Sequence, residues 1–149
     1  MTITSTNSAG HSKAGRDLTG ERGLHDHPIG SLREAATLFV VRDVLRSVDY
    51  YRDVLGFRVE FTYGDPTFYA GVERDNVAIH LQAASETKRQ PGHGAINVFV
   101  TGVDTLYQEL KSRGARTTEE PADRPYGMRD FDIVDLDGNQ LCFGESTTS

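Results

Sequence analysis

One pattern of predicted elements occurs twice in this chain, and this repetition constrains the fold more than any other feature. In both copies an apolar, β-branched strand precedes an amphipathic helix, and strand-like segments follow the helix. Val41 ends the first such strand and precedes the helix-ending Gly56 by 15 residues, and Val100 precedes Gly114 by 14 residues. Because internal repetition of this kind rarely arises by chance, the sequence predicts an α+β fold of two similar β-α-β-β-β units.

The first unit is predicted over about residues 36–84. Asp43 is placed to cap the start of its helix, and Gly56 is a typical helix end. The apolar residues of that helix recur at spacings of four, three and four, and they are Val44, Val48, Tyr51 and Leu55. The predicted strands are Thr37–Val41, Phe57–Tyr63, Tyr69–Glu73 and Val77–Gln82, with a turn at Arg74–Asn76.

The second unit is predicted over about residues 95–145, after a linker at residues 83–94. Asp104 lies at the start of its helix, which ends at Gly114. The apolar positions of that helix are Val103, Leu106, Tyr107 and Leu110. The predicted strands are Ala95–Val100, a short Arg116–Glu119, Phe131–Val134 and Gln140–Phe143, with a turn at Asp135–Asn139.

Residues 1–33 differ from the rest of the chain because they are rich in Ser, Thr, Gly and His and show no periodicity. We interpret them as a flexible polar tail that precedes a single domain at residues 34–149. Within the tail, His25-Asp26-His27 has the form of a short metal-binding motif, but no further ligand lies at helical or strand spacing. We therefore expect an exposed polar segment and not a metal site.

The charge balance excludes one large class of partners. The chain has 22 acidic and 16 basic residues, and residues 34–149 carry 19 acidic and 12 basic residues. Phosphate binding needs clustered Lys and Arg, so nucleic acid is not an expected partner. No apolar run approaches the roughly 18 residues that span a membrane. Cys142 is the only cysteine, and the N-terminal sequence has no apolar signal segment, so we expect a cytoplasmic protein.

Three motifs resemble one known family. They are Val41-Arg42-Asp43, the segment Arg46–Phe57 (RSVDYYRDVLGF) and the segment Asp135–Asn139 (DLDGN). Over roughly residues 36–145 the chain is similar to the glyoxalase, bleomycin-resistance and extradiol-dioxygenase superfamily, also called vicinal oxygen chelate proteins. The resemblance implies that each unit curls its sheet into a half-barrel and that two half-barrels enclose a cleft. It also implies a homodimer, often with an exchanged first strand.

Catalytic members of this superfamily place metal ligands at four cleft positions, two in each unit. Carried onto this sequence, those positions are Ala36, His80, Ala95 and Cys142. The repeat agrees with this assignment, because His80 and Cys142 each lie five residues after an equivalent turn aspartate. A catalytic divalent ion needs at least three N, O or S ligands, and alanine supplies none. We therefore expect no metal and no other cofactor.

Further segments resemble the metal-free bleomycin-resistance type, which sequesters a cationic drug. They are Tyr69–Val77, Val98–Tyr107 and Arg124–Phe131. These drug binders bring tryptophans to the cleft, whereas this chain has none, and Tyr126 and Asn97 stand where two are expected. Strand alternation and the resemblance together predict the ligand-binding residues Phe61, Tyr69, His80, Asn97, Phe99, Tyr126 and Cys142.

Several of these positions also have a purely structural interpretation. His80 is a candidate core histidine, and Cys142 is a candidate small buried apolar residue in place of a nucleophile. Phe61, Tyr69 and Phe99 are candidates for ordinary core. In the binding interpretation, their flat apolar rings suit a planar heterocycle.

Acidic residues near the predicted cleft are expected to attract a cationic ligand. Glu60, Asp65 and Asp132 are the candidates for this role. Arg129 is expected to pair with Asp130 or Asp132 on a strand surface.

Three functions follow from these observations. The leading hypothesis is a binding protein without turnover, in which a dimer holds a planar cationic antibiotic or related metabolite between aromatic side chains. The second is an enzyme of the same superfamily, a lyase or a dioxygenase-like protein, with an unusual metal site at His80 and Cys142. The third is a metal-free enzyme in which His80 is the general base.

Overall fold

A computed structural model describes residues 30–148 of the chain. Most of the predicted tail, including His25-Asp26-His27, therefore lies outside the described residues. Residues 30–36 carry neither helix nor strand and are exposed to solvent. The first regular element begins at Thr37, where the sequence predicts it.

The first unit has the predicted element order. Its elements are β1 (Thr37–Val41), α1 (Val44–Asp53), β2 (Arg58–Gly64), β3 (Thr67–Arg74) and β4 (Val77–Ala83). The four strands form one sheet in the order β1-β4-β3-β2. The β1 strand runs parallel to β4, and the other neighbours are antiparallel. A short 3-10 turn, Ala84–Glu86, follows β4.

The second unit repeats this architecture. Its elements are β5 (Ala95–Phe99), α2 (Val103–Ser112), β6 (Arg116–Asp123), β7 (Met128–Val134) and β8 (Gln140–Ser146). They form a second sheet in the equivalent order β5-β8-β7-β6, again with one parallel pair. The predicted α+β fold of two β-α-β-β-β units is therefore confirmed.

The later strands of the second unit are longer than predicted. The β6 strand reaches Asp123 and includes Pro121, although the sequence analysis ended it at Glu119. Its pairing with β7 is irregular between Glu119 and Ala122, and β6 is an edge strand. Because an irregular edge strand does not need every N–H for pairing, it tolerates a proline.

Both helices bury the predicted apolar stripe, but they begin in different ways. Asp43 caps α1 as predicted, because its side chain accepts a hydrogen bond from the backbone N–H of Arg46 at 3.1 Å. At the start of α2, the preceding Gly102 has no side chain for this role. Glu145, on β8, instead accepts hydrogen bonds from the N–H groups of Gly102 and Val103 at 3.1 and 2.9 Å.

Each sheet buries one face against a helix and leaves the other face accessible. In β4, Ile79 and Leu81 are fully buried, whereas His80 between them is only partly buried. In β5, Val98 is buried and the flanking Asn97 and Phe99 are exposed. The accessible faces are the surfaces on which ligand-binding residues can lie.

The turn that closes the second unit also joins the two units. Asp135 and Asn139 are almost completely buried, at 1% and 0% exposure. The Tyr51 hydroxyl of α1 donates to Asp135 Oδ2 at 2.8 Å, and Asn139 Nδ2 donates to the carbonyl oxygen of Val40 at 3.1 Å. Because buried polar groups need partners, this network fixes one unit against the other.

Among residues 30–148, no helix is both long enough and apolar enough to cross a membrane.

Candidate ligand-binding site

Each sheet carries a pocket on its accessible face, and each pocket is lined by residues of one unit alone. The first-unit pocket has a volume of about 300 Å³ and lies over β2, β3 and β4, next to the segment that precedes β1. The second-unit pocket has a volume of about 430 Å³ and lies over β5 to β8, next to the loop between β6 and β7. A single chain therefore presents two separate candidate binding surfaces.

Three rings, Phe61, Tyr69 and His80, form a cluster at the first-unit pocket, which we call the ring cluster. The Phe61 and Tyr69 rings stack with their centroids 6.2 Å apart. Both rings meet His80 at nearly right angles, with centroid distances of 5.3 and 5.5 Å. The Tyr69 hydroxyl oxygen lies 3.0 Å from Nδ1 of His80. The cluster thus combines aromatic surface with one imidazole that lines the pocket.

Gly71 makes room for the ring cluster. In the sheet register it lies beside Phe61 on one neighbouring strand and beside His80 on the other. A Cβ atom at this position would lie 2.3 Å from Cε1 of Phe61, which is closer than Cβ atoms approach other atoms. Glycine within a strand often marks such a close approach, and here it lets the Phe61 ring lie over β3.

Carboxylates are the main charged groups of the first-unit pocket. Glu34, Glu60 and Glu73 line it. Arg58 Nη2 lies 2.7 Å from Glu60 Oε2 and 3.1 Å from Glu73 Oε1. Glu73 is only 9% exposed, and its burial together with the nearby Glu60 raises the pKa of its carboxyl group. Within residues 30–148, Arg58 is the one basic group that pairs with these three acidic side chains, and it contacts only two of them. The pocket therefore has an excess of acidic groups, which favours binding of a cation.

His80 is neutral near pH 7 in this environment. Partial burial lowers the pKa of its imidazole from the ordinary value of 6.5, because the charged form is poorly solvated. A neutral imidazole has one N–H donor and one nitrogen acceptor. His80 therefore offers the pocket a hydrogen-bonding group without a positive charge.

In the second-unit pocket, the buried Asp130 holds an arginine and a tyrosine, and the exposed Glu119 also pairs with the arginine. Arg124 Nε lies 2.8 Å from Asp130 Oδ1, and its Nη2 lies 2.9 Å from Glu119 Oε1. The Tyr126 hydroxyl donates to Asp130 Oδ2 at 3.1 Å, while 69% of the residue stays exposed. Asp132 also lines this pocket, which gives it an acidic excess like that of the first. The ring of Tyr126 is thus fixed by its hydroxyl and free to contact a ligand.

Cys142 lines the second-unit pocket as a protonated thiol. Burial, with a smaller effect of the neighbouring Asp132, raises its pKa to about 12. A thiol is nucleophilic only when it is deprotonated, so this environment does not activate Cys142 near pH 7. The position of Cys142 in the pocket lining favours direct contact with a ligand over a role as a nucleophile.

A family model described as the Glyoxalase/Bleomycin resistance protein/Dioxygenase superfamily matches residues 22–143. The chain belongs to this superfamily. The resemblance inferred from the three motifs is thereby confirmed. No curated protein matches the sequence.

Several solved structures are similar to the chain in fold. TioX from Micromonospora sp. ML1 has a TM-score of 0.67 and 22% identity, and the alignment covers 78% of this chain and 99% of TioX. TnmS3, an antibiotic binding protein from Streptomyces sp. CB03234, has a TM-score of 0.64 and 22% identity, with coverage of 80% and 99%. The bleomycin-binding protein from Streptomyces verticillus, solved with copper(II)-bleomycin, has a TM-score of 0.63 and 24% identity, with coverage of 77% and 97%. At these identities the similarity shows a shared fold.

The four positions at which the superfamily resemblance implies metal ligands fall in pairs in the two pockets. Ala36 and His80 line the first-unit pocket, and Ala95 and Cys142 line the second-unit pocket. Across residues 30–148, no group of three or more His, Cys, Asp or Glu side chains is arranged to hold a metal ion. One imidazole in one pocket and one thiol in the other do not fit the ligand set of a catalytic metal centre.

The structure divides the predicted ligand-binding residues between the units. Phe61 and His80 line the first-unit pocket, and Tyr69 contacts both rings without lining the pocket itself. Asn97, Tyr126 and Cys142 line the second-unit pocket. Phe99 is 78% exposed at the end of β5 and lines a separate groove beside α2. Neither the first-unit pocket nor the second-unit pocket contains both groups.

Arg129 does not have the predicted partners. It pairs with Asp104 Oδ1 at 3.0 Å and with Asp123 Oδ1 at 3.2 Å, instead of Asp130 or Asp132. Residues an odd number of positions apart on a strand point to opposite faces, so Arg129 faces away from both predicted partners.

The predicted acids near the cleft are also divided. Glu60 and Asp132 line the two pockets, whereas Asp65 lies in the turn between β2 and β3 and lines neither of them. The sequence analysis missed Glu73 and Asp130, the two mostly buried acids of the pockets. The alternation of side chains along β3 and β7 could have predicted that these two acids face the pockets. Glu73 lies on the same face of β3 as Gly71, and Asp130 lies on the same face of β7 as Asp132.

Proposed function

We propose that this protein binds and sequesters a planar, cationic small molecule of antibiotic type and does not transform it. The observation that carries the proposal is the composition of the two pockets. The first-unit pocket is lined by Phe61 and His80 and the second by Tyr126, each pocket has more carboxylates than basic groups, and the superfamily's metal-ligand positions are half alanine. Rings supply stacking surface, and carboxylates favour a positive charge.

Proteins of the same fold support this class of ligand. TnmS3 is described as an antibiotic binding protein, and the Streptomyces verticillus protein binds bleomycin. The fold alone hosts many functions, so the proposal depends on the pockets and not on the similarity.

We infer that the complete binding site forms in a homodimer. Each pocket of one chain is lined by one unit alone, and its volume of about 300 or 430 Å³ is at the low end of the roughly 300–1,000 Å³ range of ligand pockets. If the first-unit pocket of one chain faces the second-unit pocket of its partner, the dimer has two larger clefts, each lined by residues of both pockets. The exposed rings of Phe99 and Tyr126 would then be partly covered. The lone cysteine is consistent with such a dimer in the cytoplasm.

Titration calorimetry with bleomycin-class, mitomycin-class and quinoxaline compounds tests the proposal. At least one class should bind with a stoichiometry of one per cleft. Phe61→Ala should weaken that binding roughly tenfold, about 1.4 kcal/mol, because it removes a stacking ring. Leu45→Ala is the matched control, since Leu45 is an exposed apolar residue on α1 that lines neither pocket. If all three classes fail to bind, the proposal is rejected.

A further inference from the structure

The hydrogen bond inside the ring cluster joins two side chains of neighbouring strands. The Tyr69 hydroxyl oxygen lies 3.0 Å from Nδ1 of His80. Within residues 30–148, no other hydrogen-bond partner is found for the Tyr69 hydroxyl, and none is found for Nε2 of His80. One imidazole nitrogen is therefore engaged by tyrosine, and the other is available to the pocket that His80 lines.

The chemistry of the two groups gives the direction of this bond. A phenol O–H is a stronger hydrogen-bond donor than the N–H of a neutral imidazole, and a basic imidazole nitrogen is a better acceptor than a phenol oxygen. At pH 7.5 a phenol, with an ordinary pKa of about 10, keeps its proton, and an imidazole, with an ordinary pKa of about 6.5, is mainly neutral. Nδ1 then accepts from Tyr69, and the single imidazole proton is on Nε2.

We propose that Tyr69 holds His80 in the tautomer protonated at Nε2, and that this N–H selects ligands carrying a hydrogen-bond acceptor on their planar ring. The ligand part of this inference rests on the proposed function. His80 is then a specificity-determining donor, and Tyr69 is the positioning residue that acts through it.

The N–H of His80 differs from the other polar groups of the first-unit pocket, because most of those groups are hydrogen-bond acceptors. The charged side chains of the pocket, Glu34, Glu60 and Glu73, are acceptors when ionised, and Arg58 is engaged by two of them. A ligand with a positive charge and a ring acceptor can satisfy both kinds of group at once. A planar cation without an acceptor leaves the N–H of His80 unpaired, which costs affinity when the site is desolvated.

The same tautomer argues against base catalysis by His80. A general base needs an unprotonated nitrogen that faces the reacting group. Here the unprotonated Nδ1 is occupied by the Tyr69 hydroxyl, and the nitrogen left for a ligand carries the proton. The geometry thus favours binding over the metal-free enzyme hypothesis.

Nitrogen-15 NMR of the labelled full chain at pH 7.5 tests the tautomer without any ligand. We expect the His80 signals to show a protonated Nε2 and an unprotonated Nδ1, with assignment from a His80→Gln variant. Tyr69→Phe keeps the ring and removes the donor, so it should increase the population protonated at Nδ1. The exposed His93 should be unaffected and serves as the internal control. A wild-type His80 protonated mainly at Nδ1 would overturn the inference.

A matched pair of probes tests ligand selection. The amines 2-(aminomethyl)quinoxaline and 2-(aminomethyl)naphthalene have the same shape and charge, and only the first has ring nitrogens. We expect the wild-type protein to bind the quinoxaline amine roughly threefold to tenfold more tightly than the naphthalene amine, the range expected for one hydrogen bond. His80→Phe removes the N–H and should abolish this preference, so that the two amines bind the variant with similar affinity.

The outcomes separate this inference from the proposed function. Equal binding of both amines by the wild-type protein would overturn acceptor selection while supporting a site for planar cations. Failure of both amines to bind would count against the planar-cation class itself and would also reject acceptor selection. A preference that persists in His80→Phe would assign selection to another group.

Discussion

Gly71 and Glu73 lie on the same face of β3 and shape the first-unit pocket in different ways. Gly71 supplies space, because the Phe61 ring lies where its side chain would be. Glu73 supplies a mostly buried carboxyl group that shares Arg58 with Glu60. Both effects can be tested by single substitutions.

Gly71→Ala should disturb the ring cluster. The new methyl group would lie 2.3 Å from Phe61 Cε1, so the ring must move. Overpacking of this kind typically costs about 1–3 kcal/mol of stability. Ligand affinity measured by calorimetry should fall roughly tenfold. The double variant Gly71→Ala/Phe61→Ala should recover most of the lost free energy of unfolding. Wild-type affinity in the single variant would contradict the role given to this glycine.

Glu73→Gln should change how stability depends on pH. Burial first, and Glu60 second, raise the pKa of Glu73 above 4.5, so the folded chain keeps a proton that the unfolded chain releases. The free energy of unfolding therefore falls as pH rises from 4.5 through the folded-state pKa. Glutamine cannot ionise, so the stability of the variant relative to wild type should increase across that window.

Urea unfolding at several pH values measures this difference, and Glu86→Gln at an exposed position is the control. If the difference between Glu73→Gln and wild type does not change with pH, the carboxyl group is not perturbed in the folded state.

Strand alternation predicted which residues face away from the core, but not what they touch. Phe99 is exposed, and Phe61 and Tyr69 are only partly buried, so none of the three belongs to the fully buried core. The contact of Tyr69 with His80 depends on the register of β3 against β4, in which Tyr69 lies opposite Gln82. The hairpin turn between β3 and β4 sets that register, but local sequence does not fix the side-chain conformations that bring the Tyr69 hydroxyl to His80.

At the level of elements, the two helices show what local sequence can and cannot predict. The cap of α1 comes from Asp43, directly before the helix, and was predicted. The cap of α2 comes from Glu145, which is 42 residues from Val103 along the chain. Only the folded sheet brings this side chain to the helix, so no local pattern indicates it.

Glu145→Ala should loosen the start of α2. The hydrogen bonds from the N–H groups of Val103 and Gly102 lower the pKa of Glu145 below 4.5. Its stabilising effect is therefore present above pH 4.5 and is lost as pH falls through the folded-state pKa. At pH 7 we expect the variant to have a lower melting temperature than wild type and faster amide exchange in the first turn of α2. At acidic pH the difference in melting temperature between the variant and wild type should be smaller.

The matched control is Asp43→Ala, which removes the cap of α1 and typically costs about 1 kcal/mol. It should increase amide exchange in α1 and leave α2 unchanged. Unchanged exchange in α2 after Glu145→Ala would show that this carboxylate does not stabilise the helix.

At the scale of the whole molecule, the repeat predicted the two units, and the structure agrees with this prediction. The repeat did not predict that the ligand-binding residues would be divided between separate pockets of the two units. This division depends on how one unit is fixed against the other, through buried contacts such as Tyr51 with Asp135. The resemblance implied a cleft between two half-barrels, and in one chain the predicted ligand-binding residues lie in two pockets, one in each unit, and in the groove beside α2.

Mixing two weakly binding variants tests whether a dimer joins these pockets. Phe61→Ala damages the first-unit pocket, and Tyr126→Ala damages the second-unit pocket. After unfolding and refolding together, half of the dimers should be mixed, and each mixed dimer should contain one intact cleft. The number of clefts with wild-type affinity should therefore be about a quarter of that in the wild-type protein.

A mixture of Phe61→Ala with His80→Ala is the control, because both substitutions damage the same pocket and no intact cleft can form. If the first mixture recovers no more capacity than this control, each chain binds its ligand without a partner.

The most direct test of sequestration is the fate of the bound compound. Protein purified without chelators is saturated with the compound that binds in calorimetry, and the compound is then released and identified by mass spectrometry. Elemental analysis of the same protein measures Zn, Ni, Mn and Fe. We predict that the compound is recovered unchanged, at one molecule per cleft, and that no transition metal is present in stoichiometric amount. A chemically altered product, together with a stoichiometric metal ion on which its formation depends, would contradict this account.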